Sequence, residues 1–216
     1  MTVQVSAFRW VPLFAQGYVR DLRVRWALEE AGVPYEAVLI DFDTKNSQAY
    51  RSWQPFAQVP AYRDDEVQLF ESGAIVLHIA GRSEALAPME PKGRARVTQW
   101  VIAALNSIEP FTMELAAIDI FHAGEAWTKE RRPQAEAMVV QRLEALAERL
   151  GDKEHLEGSF TAGDLVMTTV LREVVENGLL ARFPTLDVYR RRCEGRPAFG
   201  RALEAQLQPF RANAPN

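Results

Sequence analysis

The chain has 216 residues, of which 48% are hydrophobic and 25% charged, and its formal net charge is −4. This composition is ordinary for a globular protein with a sizeable buried core, arranged as one large domain or two small ones. Nucleic acid is disfavoured as a partner, because binding it selects for a basic surface. The single cysteine, Cys193, excludes a disulfide framework within the chain.

Two features of the sequence bear on where the protein acts. The first residues, MTVQVSAFRW, lack the apolar core of a signal peptide and the amphipathic pattern of a transit peptide. No apolar run in the sequence approaches the roughly 18 residues that a membrane-spanning helix needs. We therefore expect a cytoplasmic protein that contacts neither a membrane nor nucleic acid.

The start of the chain alternates between strand and helix patterns. Val3–Phe8 alternates apolar residues with small or polar ones, which predicts a first strand. After the loop Arg9–Arg20, a helix capped by Asp21 is expected to run to Gly32, because glycine favours a helix end. Tyr35–Ile40 is rich in β-forming residues and predicts the second strand.

A short helix, a hairpin and a longer helix follow. Ser47–Trp53 predicts the short helix, and Ala61–Arg63 and Val67–Phe70 predict two strands joined by a turn. Ser72–Ala80 predicts the longer helix. Strands separated by a helix favour parallel pairing, whereas closely spaced strands favour an antiparallel hairpin. The order β-α-β-α-β-β-α is that of an α/β thioredoxin-like domain.

A change of composition separates this region from the rest of the chain. Gly81–Gly93 contains two prolines and two glycines, which is typical of a linker. Beyond it, Arg94–Ala117 and Arg132–Leu150 have helical periodicity, and Pro110 is expected to kink or break the first of these helices. The predicted organisation is a thioredoxin-like domain of residues 1–81, a linker of residues 82–93 and an all-α domain of residues 94–216.

Residues 58–75 bring together two kinds of unpaired backbone. The residue before Pro60 is extended, and an extended segment can pair with another peptide as an added strand does. The helix that opens at Ser72 offers unpaired N–H groups and a partial positive charge, which attract a carboxylate. Glu71 supplies a carboxylate for an ammonium group. Together these groups suit a small zwitterionic peptide.

This stretch resembles the glutathione-binding half of the glutathione S-transferase family. The resemblance rests on Val59-Pro60, followed eleven residues later by Glu71-Ser72 at a helix start. It implies a cis peptide bond before the proline, with the N–H and C=O of Val59 on the cysteinyl part of glutathione. It also implies that Ser72 and its N–H bind the γ-glutamyl carboxylate, Glu71 the ammonium group and Gln58 the glycyl carboxylate. An α/β domain followed by a helical one extends the resemblance over nearly the whole chain.

Two segments of the second half add to the resemblance. Thr161 and Asp164 have the spacing of a capping box, flanked by Phe160 and Leu165 as a hydrophobic staple. The family carries such a box at the start of a buried helix in its second domain, where its role is folding. The segment Arg196–Phe199 resembles the closing segment of the family.

The group that activates the glutathione thiol is the least clear part of the sequence. A free thiol has a pKa of about 8.5, so a hydrogen-bond donor must lower it to give the reactive thiolate. Family members usually use Tyr, Ser or Cys near the first helix, but residues 8–25 contain no Ser, Thr or Cys. Tyr18 is their only hydroxyl and, counted back from Arg23, lies where serine-type members carry their serine. Tyrosine-type members place theirs earlier, near Phe14.

Other groups also remain open as candidates. Tyr18 is either the catalytic donor or an aromatic residue packed against the first helix, and the alternative donors are backbone N–H groups, Gln16, Arg20 and the indole of Trp10. Aromatic and sulfur-containing candidates for the electrophile pocket are Trp10, Phe14, Phe111, Met113 and Phe121. His78, His122 and His155 show no ligand spacing, so no metal site is predicted. Cys193 is expected to be structural.

Three functions are consistent with these residues. The preferred one is a transferase that adds the glutathione thiolate to a hydrophobic electrophile in the course of detoxification. The second is a non-catalytic glutathione-binding or interaction protein, which the lack of Ser, Thr or Cys in residues 8–25 favours. The third is a glutathione-dependent disulfide reductase or peroxidase. The resemblance also implies a homodimer, with glutathione as the co-substrate.

Overall fold

The computed structural model describes residues 2–215, which divide into two compact units. One unit runs to Met89 and includes the chain from Gly195 onward, and the other is Glu90–Glu194. The helices in chain order are α1 (Asp21–Ala31), α2 (Gln48–Arg51), α3 (Ser72–Ala80), α4 (Pro91–Ala103), α5 (Glu109–Ile120), α6 (Thr128–Leu150), α7 (Ala162–Arg172), α8 (Pro184–Glu194) and α9 (Pro197–Ala212).

The first unit is built on a mixed four-stranded sheet. Its strands are β1 (Val3–Phe8), β2 (Tyr35–Ile40), β3 (Ala61–Arg63) and β4 (Gln68–Phe70), in the order β2-β1-β3-β4. β1 pairs with β2 in parallel, whereas β1–β3 and β3–β4 are antiparallel. The predicted parallel pair and hairpin are therefore confirmed, and the unit has the thioredoxin-like fold.

The predicted cap of α1 is wrong. The N-cap residue is Arg20, without a side-chain hydrogen bond, and Asp21 is the first residue of the helix. Asp21 is fully buried and accepts hydrogen bonds from Arg25 Nε at 2.7 Å and Gln206 Nε2 at 2.6 Å. Burial raises the pKa of this carboxyl group, and the neighbouring guanidinium opposes that rise. Asp21 therefore connects α1 to α9 instead of capping its own helix.

The C-terminal helix belongs to the first unit, which differs from the domain boundaries expected from the sequence. Arg196 forms a bidentate ion pair with Glu30, with distances of 2.6 and 2.7 Å. The rings of Trp26 and Phe199 meet edge to face at 4.8 Å between centroids. The helical periodicity of a sequence identifies which face of a helix is buried, but it does not show which other element packs against that face. The buried face of α9 packs against α1 of the first unit. The predicted linker is also shorter, because α4 already begins at Pro91.

The helical unit contains a continuous run through Pro110. The chain stays helical from Pro91 to Ile120 by adopting a π-turn at Ala104–Ile108, in which the Glu109 N–H bonds to the Ala104 carbonyl. Proline lacks an N–H and crowds the carbonyl four residues before it, and the wider turn accommodates both effects. Pro110 therefore neither breaks the run nor ends it.

This helical run also bears on membrane interaction. Within residues 2–215, the helical run Pro91–Ile120 is long and apolar enough to cross a bilayer. Of its most apolar 18-residue stretch, 39% is buried inside the protein. The sequence expectation overlooked this window. Core helices of soluble proteins have the same length and composition, so the feature does not by itself indicate a membrane protein.

The predicted capping box at the start of α7 is confirmed. The Thr161 side chain accepts from the backbone of the first turn, and the Asp164 carboxylate accepts from the Thr161 N–H at 2.9 Å. Asp164 also accepts from Tyr189 Oη at 2.9 Å and from the Leu156 N–H at 2.9 Å. The box therefore fixes α8 and the preceding loop as well as the helix start.

Replacing Gly163 by Ala is expected to destabilise the protein by about 1–3 kcal/mol, the usual cost of overpacking. A Cβ at Gly163 would lie 2.6 Å from Trp100 Cβ, so α4 and α7 would have to move apart. Urea unfolding would measure the loss. Gly200→Ala in α9 is the matched control, because its Cβ would meet nothing within 4 Å, and we expect it to be neutral or stabilising. Equal effects of the two variants would contradict close packing at Gly163.

Candidate functional site

The loop that leads to Pro60 is held by a buried amide. The Gln54 side chain is buried, and its Oε1 accepts from the Phe56 N–H at 2.7 Å and the Gln58 N–H at 3.2 Å. Two backbone N–H groups of the loop therefore depend on one side chain. This arrangement fixes the backbone at Gln58, whose own side chain is exposed.

A hydrogen-bonded pair of hydroxyl groups, from Tyr50 and Ser6, holds the same loop. Tyr50 Oη donates to the Gln58 carbonyl at 2.5 Å and lies 2.8 Å from Ser6 Oγ, which accepts from the Ala61 N–H at 2.7 Å. The single phenol proton goes to the carbonyl, so Ser6 must donate to Tyr50. Burial raises the pKa of the Tyr50 phenol, which keeps it protonated and able to donate at neutral pH. Both ends of the segment around Pro60 are therefore anchored to β1 and α2.

The Val59-Pro60 peptide bond is cis. The Val59 side chain is buried beside Ile40 and Trp53. Neither the N–H nor the C=O of Val59 has a hydrogen-bond partner among residues 2–215. A buried side chain thus holds a backbone segment whose two polar groups remain available to another extended peptide.

The N-terminus of α3 lies next along the chain, and the helix begins at Ser72 as the sequence predicts. Glu71 is the N-cap residue, and its side chain makes no capping bond. Its backbone has φ 70° and ψ 114°, in the left-handed half of φ space that favours glycine. Such strain is concentrated at functional sites in proteins. Glu71 is exposed, so its carboxylate is accessible to a ligand.

Ser72 occupies the first turn of α3 and is only 5% exposed. Within the described chain, the N–H groups of Ser72, Gly73 and Ala74 have no acceptor. Together with the helix dipole, these three donors form an anion-binding position. Arg23 of α1 donates from Nη1 to Ser72 Oγ at 3.4 Å, which brings a buried guanidinium to the same position.

The first loop contains two aromatic residues that are partly exposed. Tyr18 is 36% exposed, Phe14 is 52% exposed, and the Tyr18 N–H bonds to the Ala15 carbonyl at 3.1 Å. The Gln16 amide donates to the Val11 carbonyl at 3.0 Å, so one of its protons is already used. Tyr18 is therefore not enclosed in the core, and its hydroxyl remains the candidate activator.

The remaining candidates are distributed over both units. In the first unit Trp10 is half-buried, and in the helical unit Met113 and Phe121 are exposed while Phe111 lies under the Arg142 guanidinium at 4.6 Å. Cys193 is fully buried in α8, in line with the structural role expected for it. Among residues 2–215 no group of three or more His, Cys, Asp or Glu side chains is arranged to hold a metal ion.

Several residues that shape this site were not recognised in the sequence. Arg23, Tyr50, Ser6 and Gln54 are buried polar residues within apolar patterns, and single-sequence periodicity gives no reason to select them. One feature of the sequence could have indicated a role for Arg23. It lies on the buried face of α1, where a charged residue is unusual. A buried arginine in a helix facing the predicted site could have been examined on that ground.

Comparison with known proteins places these features in a family. The family model described as "Glutathione S-transferase, N-terminal domain" matches residues 12–81, which contain Val59-Pro60 and Glu71-Ser72. A glutathione S-transferase of Nicotiana tabacum is 28% identical over 202 residues, covering 85% of this chain and 92% of the relative.

Solved structures agree with the sequence matches. A glutathione transferase from Burkholderia graminis, with two glutathione molecules bound per subunit, has a TM-score of 0.82 and 26% identity and covers 94% of this chain and 88% of its own. A family member from Pseudomonas fluorescens, with two glutathione bound, has a TM-score of 0.82 and 25% identity and covers 94% and 92%. The chain therefore carries a match to the N-terminal domain of glutathione S-transferases at residues 12–81, and it is similar to members of that family over both its thioredoxin-like unit and its helical unit.

Proposed function

We propose that the protein binds glutathione along residues 58–72 and adds its thiolate to a hydrophobic electrophile. The observation that carries this proposal is the start of α3, where three N–H groups without an acceptor among residues 2–215 and the Ser72 hydroxyl lie beside the strained, exposed Glu71. These groups match a ligand that bears a carboxylate and an ammonium on one carbon. The γ-glutamyl end of glutathione has that chemistry.

The rest of the peptide extends along the neighbouring loop. The N–H and C=O of Val59, which have no partner in the part of the chain that the structure describes, pair with the cysteinyl backbone as an added strand would. The exposed Gln58 side chain receives the glycyl carboxylate. Because Gln54 and Tyr50 already fix this loop, little conformational entropy is lost on binding. Pre-organisation therefore supports affinity for a small and flexible tripeptide.

In the chemical step the cysteinyl thiol loses its proton to solvent, and the resulting thiolate forms a bond to an electrophilic carbon while the leaving group departs with the displaced electron pair. A donor that lowers the thiol pKa from about 8.5 increases the thiolate fraction at neutral pH. We assign this donor role to the Tyr18 hydroxyl, the only hydroxyl in residues 8–25.

Glutathione titration combined with turnover of a panel of electrophiles tests the proposal. Binding and conjugate formation are both expected. Binding without turnover of any electrophile would reject the transferase activity and leave a glutathione-binding protein. Absence of binding would reject the site itself.

Tyr18→Phe is expected to raise the pKa of bound glutathione toward about 8.5 and to lower kcat by about 100-fold, as for loss of one transition-state donor. The thiolate absorbance and kcat should be measured as functions of pH. Tyr35→Phe is the control, because the Tyr35 hydroxyl has no hydrogen-bond partner in the described chain. An unchanged rate and thiol pKa in Tyr18→Phe would remove Tyr18 from the mechanism.

A second candidate is glutathione-dependent disulfide reduction, favoured by the two glutathione molecules in the bacterial relatives. One thiolate attacks the substrate disulfide and forms a mixed disulfide while the first substrate thiol leaves. A second glutathione attacks the mixed disulfide, which gives glutathione disulfide and the second thiol. Formation of glutathione disulfide from a small disulfide, without conjugates from electrophiles, would select this function over the first.

We also propose that the protein is a cytoplasmic homodimer, as the family resemblance implies. Phe56 and Phe70 support an association surface, because both rings are exposed and meet edge to face at 5.8 Å between centroids. Light scattering is expected to give twice the monomer mass. A monomer at micromolar concentration would contradict the proposal.

A further inference from the structure

Trp127 is an exposed aromatic side chain just before the start of α6. It is 45% exposed, whereas the other four tryptophans of the chain are buried or half-buried. Ile120 and Phe121, at the end of α5, are exposed as well. Exposed apolar side chains that occur together, unlike isolated ones, mark surfaces that bind another molecule. The Trp127 ring is therefore a candidate contact for a ligand.

Trp127 lines a cavity of about 510 Å³ in the helical unit. The cavity lies between α5 and the first two turns of α6, and all of its lining residues belong to this unit. Small-molecule sites have volumes of roughly 300–1,000 Å³. His122 and the apolar Ala117 and Ile118 form part of the lining. The cavity therefore has the size of a small-molecule site and offers aromatic and apolar surface to a ligand.

The two rings of the cavity are held in place by one carboxylate. Glu125 Oε2 accepts from Trp127 Nε1 at 2.5 Å, and Glu125 Oε1 lies 2.9 Å from His122 Nδ1. The hydrogen bonds with His122 and Trp127 lower the pKa of the Glu125 carboxyl group, so the carboxylate accepts and His122 must donate from Nδ1. The rings meet edge to face at 5.2 Å between centroids. Because both rings are oriented before a ligand arrives, less entropy is lost on binding.

The charges of the lining leave one carboxylate without a partner. Arg131 Nε donates to Glu114 Oε1 at 2.8 Å and Arg131 Nη1 to Gln134 Oε1 at 3.1 Å, so this guanidinium is already paired. Glu130 also lines the cavity and is exposed, and its carboxylate has no ion pair or side-chain hydrogen bond among residues 2–215. Negative charge therefore exceeds positive charge in the lining, and the excess lies at Glu130.

An aromatic face beside a free carboxylate has the chemistry that recognises organic cations. The face of an aromatic ring attracts a cation, and tryptophan does so most strongly. A quaternary ammonium donates no hydrogen bond and has an apolar surface of methyl groups, so it suits aromatic walls. We propose that this cavity binds a small quaternary ammonium compound, with the Trp127 ring and the Glu130 carboxylate as its recognition groups. The proposed site uses residues of the helical unit alone.

Two molecules of the same shape test this inference. Choline is compared with the dimethylbutanol in which a neutral carbon replaces the ammonium nitrogen. Each is titrated into the isotopically labelled protein at constant ionic strength, and the indole N–H resonance of Trp127 is followed by NMR. Its loss in Trp127→Leu identifies this resonance among those of the five tryptophans. Choline is expected to shift it saturably and to bind at least about tenfold more tightly than the alcohol.

Two variants assign the recognition groups. Glu130→Gln removes the charge with little change in size and is expected to weaken choline about fivefold, as for loss of an exposed charge contact. The alcohol should change by less than about twofold. Trp127→Leu keeps an apolar side chain without the aromatic face and should weaken choline about threefold or more, with the backbone amide of Glu130 as the reporter. Thermal melts establish that each variant is folded.

The matched control is Glu148→Gln. Glu148 is an exposed acid of the same helix that does not line the cavity, and it lies about 27 Å from Glu130 along the helix axis. Choline affinity should therefore equal that of wild type. Because this control and Glu130→Gln lose the same charge from α6, a difference between them reports the position of the carboxylate and not the net charge of the protein.

Three results would overturn the proposal. The first is equal affinity for choline and the alcohol, or no saturable binding of choline at all. The second is choline binding that leaves the Trp127 indole resonance unchanged. The third is equal choline affinity in Glu130→Gln and Glu148→Gln. None of these results would bear on the proposed glutathione site, because residues 58–72 belong to the other unit.

Discussion

Replacing Glu71 by Gln and Ser72 by Ala together is expected to weaken glutathione binding by at least about 100-fold. Each change removes a hydrogen bond to a charged group of the ligand, which contributes roughly 1.5–3 kcal/mol, and 1.4 kcal/mol is a factor of ten. Gln keeps the size and backbone preference of Glu71, whose φ of 70° other substitutions could disturb. Calorimetric titration of wild type and variant measures the ratio.

The matched control for this double variant is Glu84→Gln. Glu84 is an exposed acid of the same unit, beyond the end of α3, and its loss removes one negative charge without touching the site. Its glutathione affinity should stay within about twofold of wild type, as for an independent position. A double variant that binds glutathione as tightly as this control would refute the assignment of the γ-glutamyl subsite.

Asp164→Ala is expected to destabilise the protein by at least about 4 kcal/mol, because several buried donors would lose their acceptor at roughly 1–3 kcal/mol each. The carboxylate accepts from the N–H and Oγ1 of Thr161 at 2.9 and 3.0 Å, from the Leu156 N–H and from Tyr189 Oη. Asp164 is fully buried, so bulk solvent does not reach these donors in the folded protein. Urea unfolding followed by circular dichroism measures the change.

Two smaller substitutions show whether the loss comes from these bonds. Tyr189→Phe removes one donor and should cost about 1–1.5 kcal/mol. Burial and the adjacent carboxylate raise the pKa of the Tyr189 phenol, so it remains a donor through neutral pH. Asp164→Asn keeps one acceptor oxygen and should lie between the other two variants. A loss below about 1 kcal/mol for Asp164→Ala would contradict the network.

The sheet was predictable because its signals are local. Three strands have the predicted bounds, at Val3–Phe8, Tyr35–Ile40 and Ala61–Arg63. Helix ends that depend on tertiary contacts were not predictable. α6 starts at Thr128 instead of Arg132, and its first turns are fixed to α5 by the Arg131–Glu114 and Arg132–Asp119 ion pairs. The hydrophobic periodicity of residues 128–150 does not predict these ion-pair partners in α5.

The residues of the candidate site also fall into two groups: those with a local sequence signal and those that depend on tertiary contacts. Val59, Pro60, Glu71 and Ser72 were proposed from the sequence, because a motif in a loop and at a helix start can be recognised in the sequence itself. Other residues of the site act through contacts with distant parts of the chain, and these are Ser6, Tyr50 and Arg23. Arg23 and its partner Ser72, for example, are 49 positions apart. The identity of the catalytic donor stays a prediction, because Tyr18 was selected as the only hydroxyl in residues 8–25.

The most direct test of the account is the position of glutathione itself. Backbone amide resonances of the isotopically labelled protein should be followed by NMR during glutathione addition. The account predicts saturable shifts concentrated at Val59, Ser72, Gly73 and Ala74, whose N–H groups have no acceptor in the described chain. Saturable shifts that leave these amides unchanged and fall elsewhere, or no shifts at all, would contradict it.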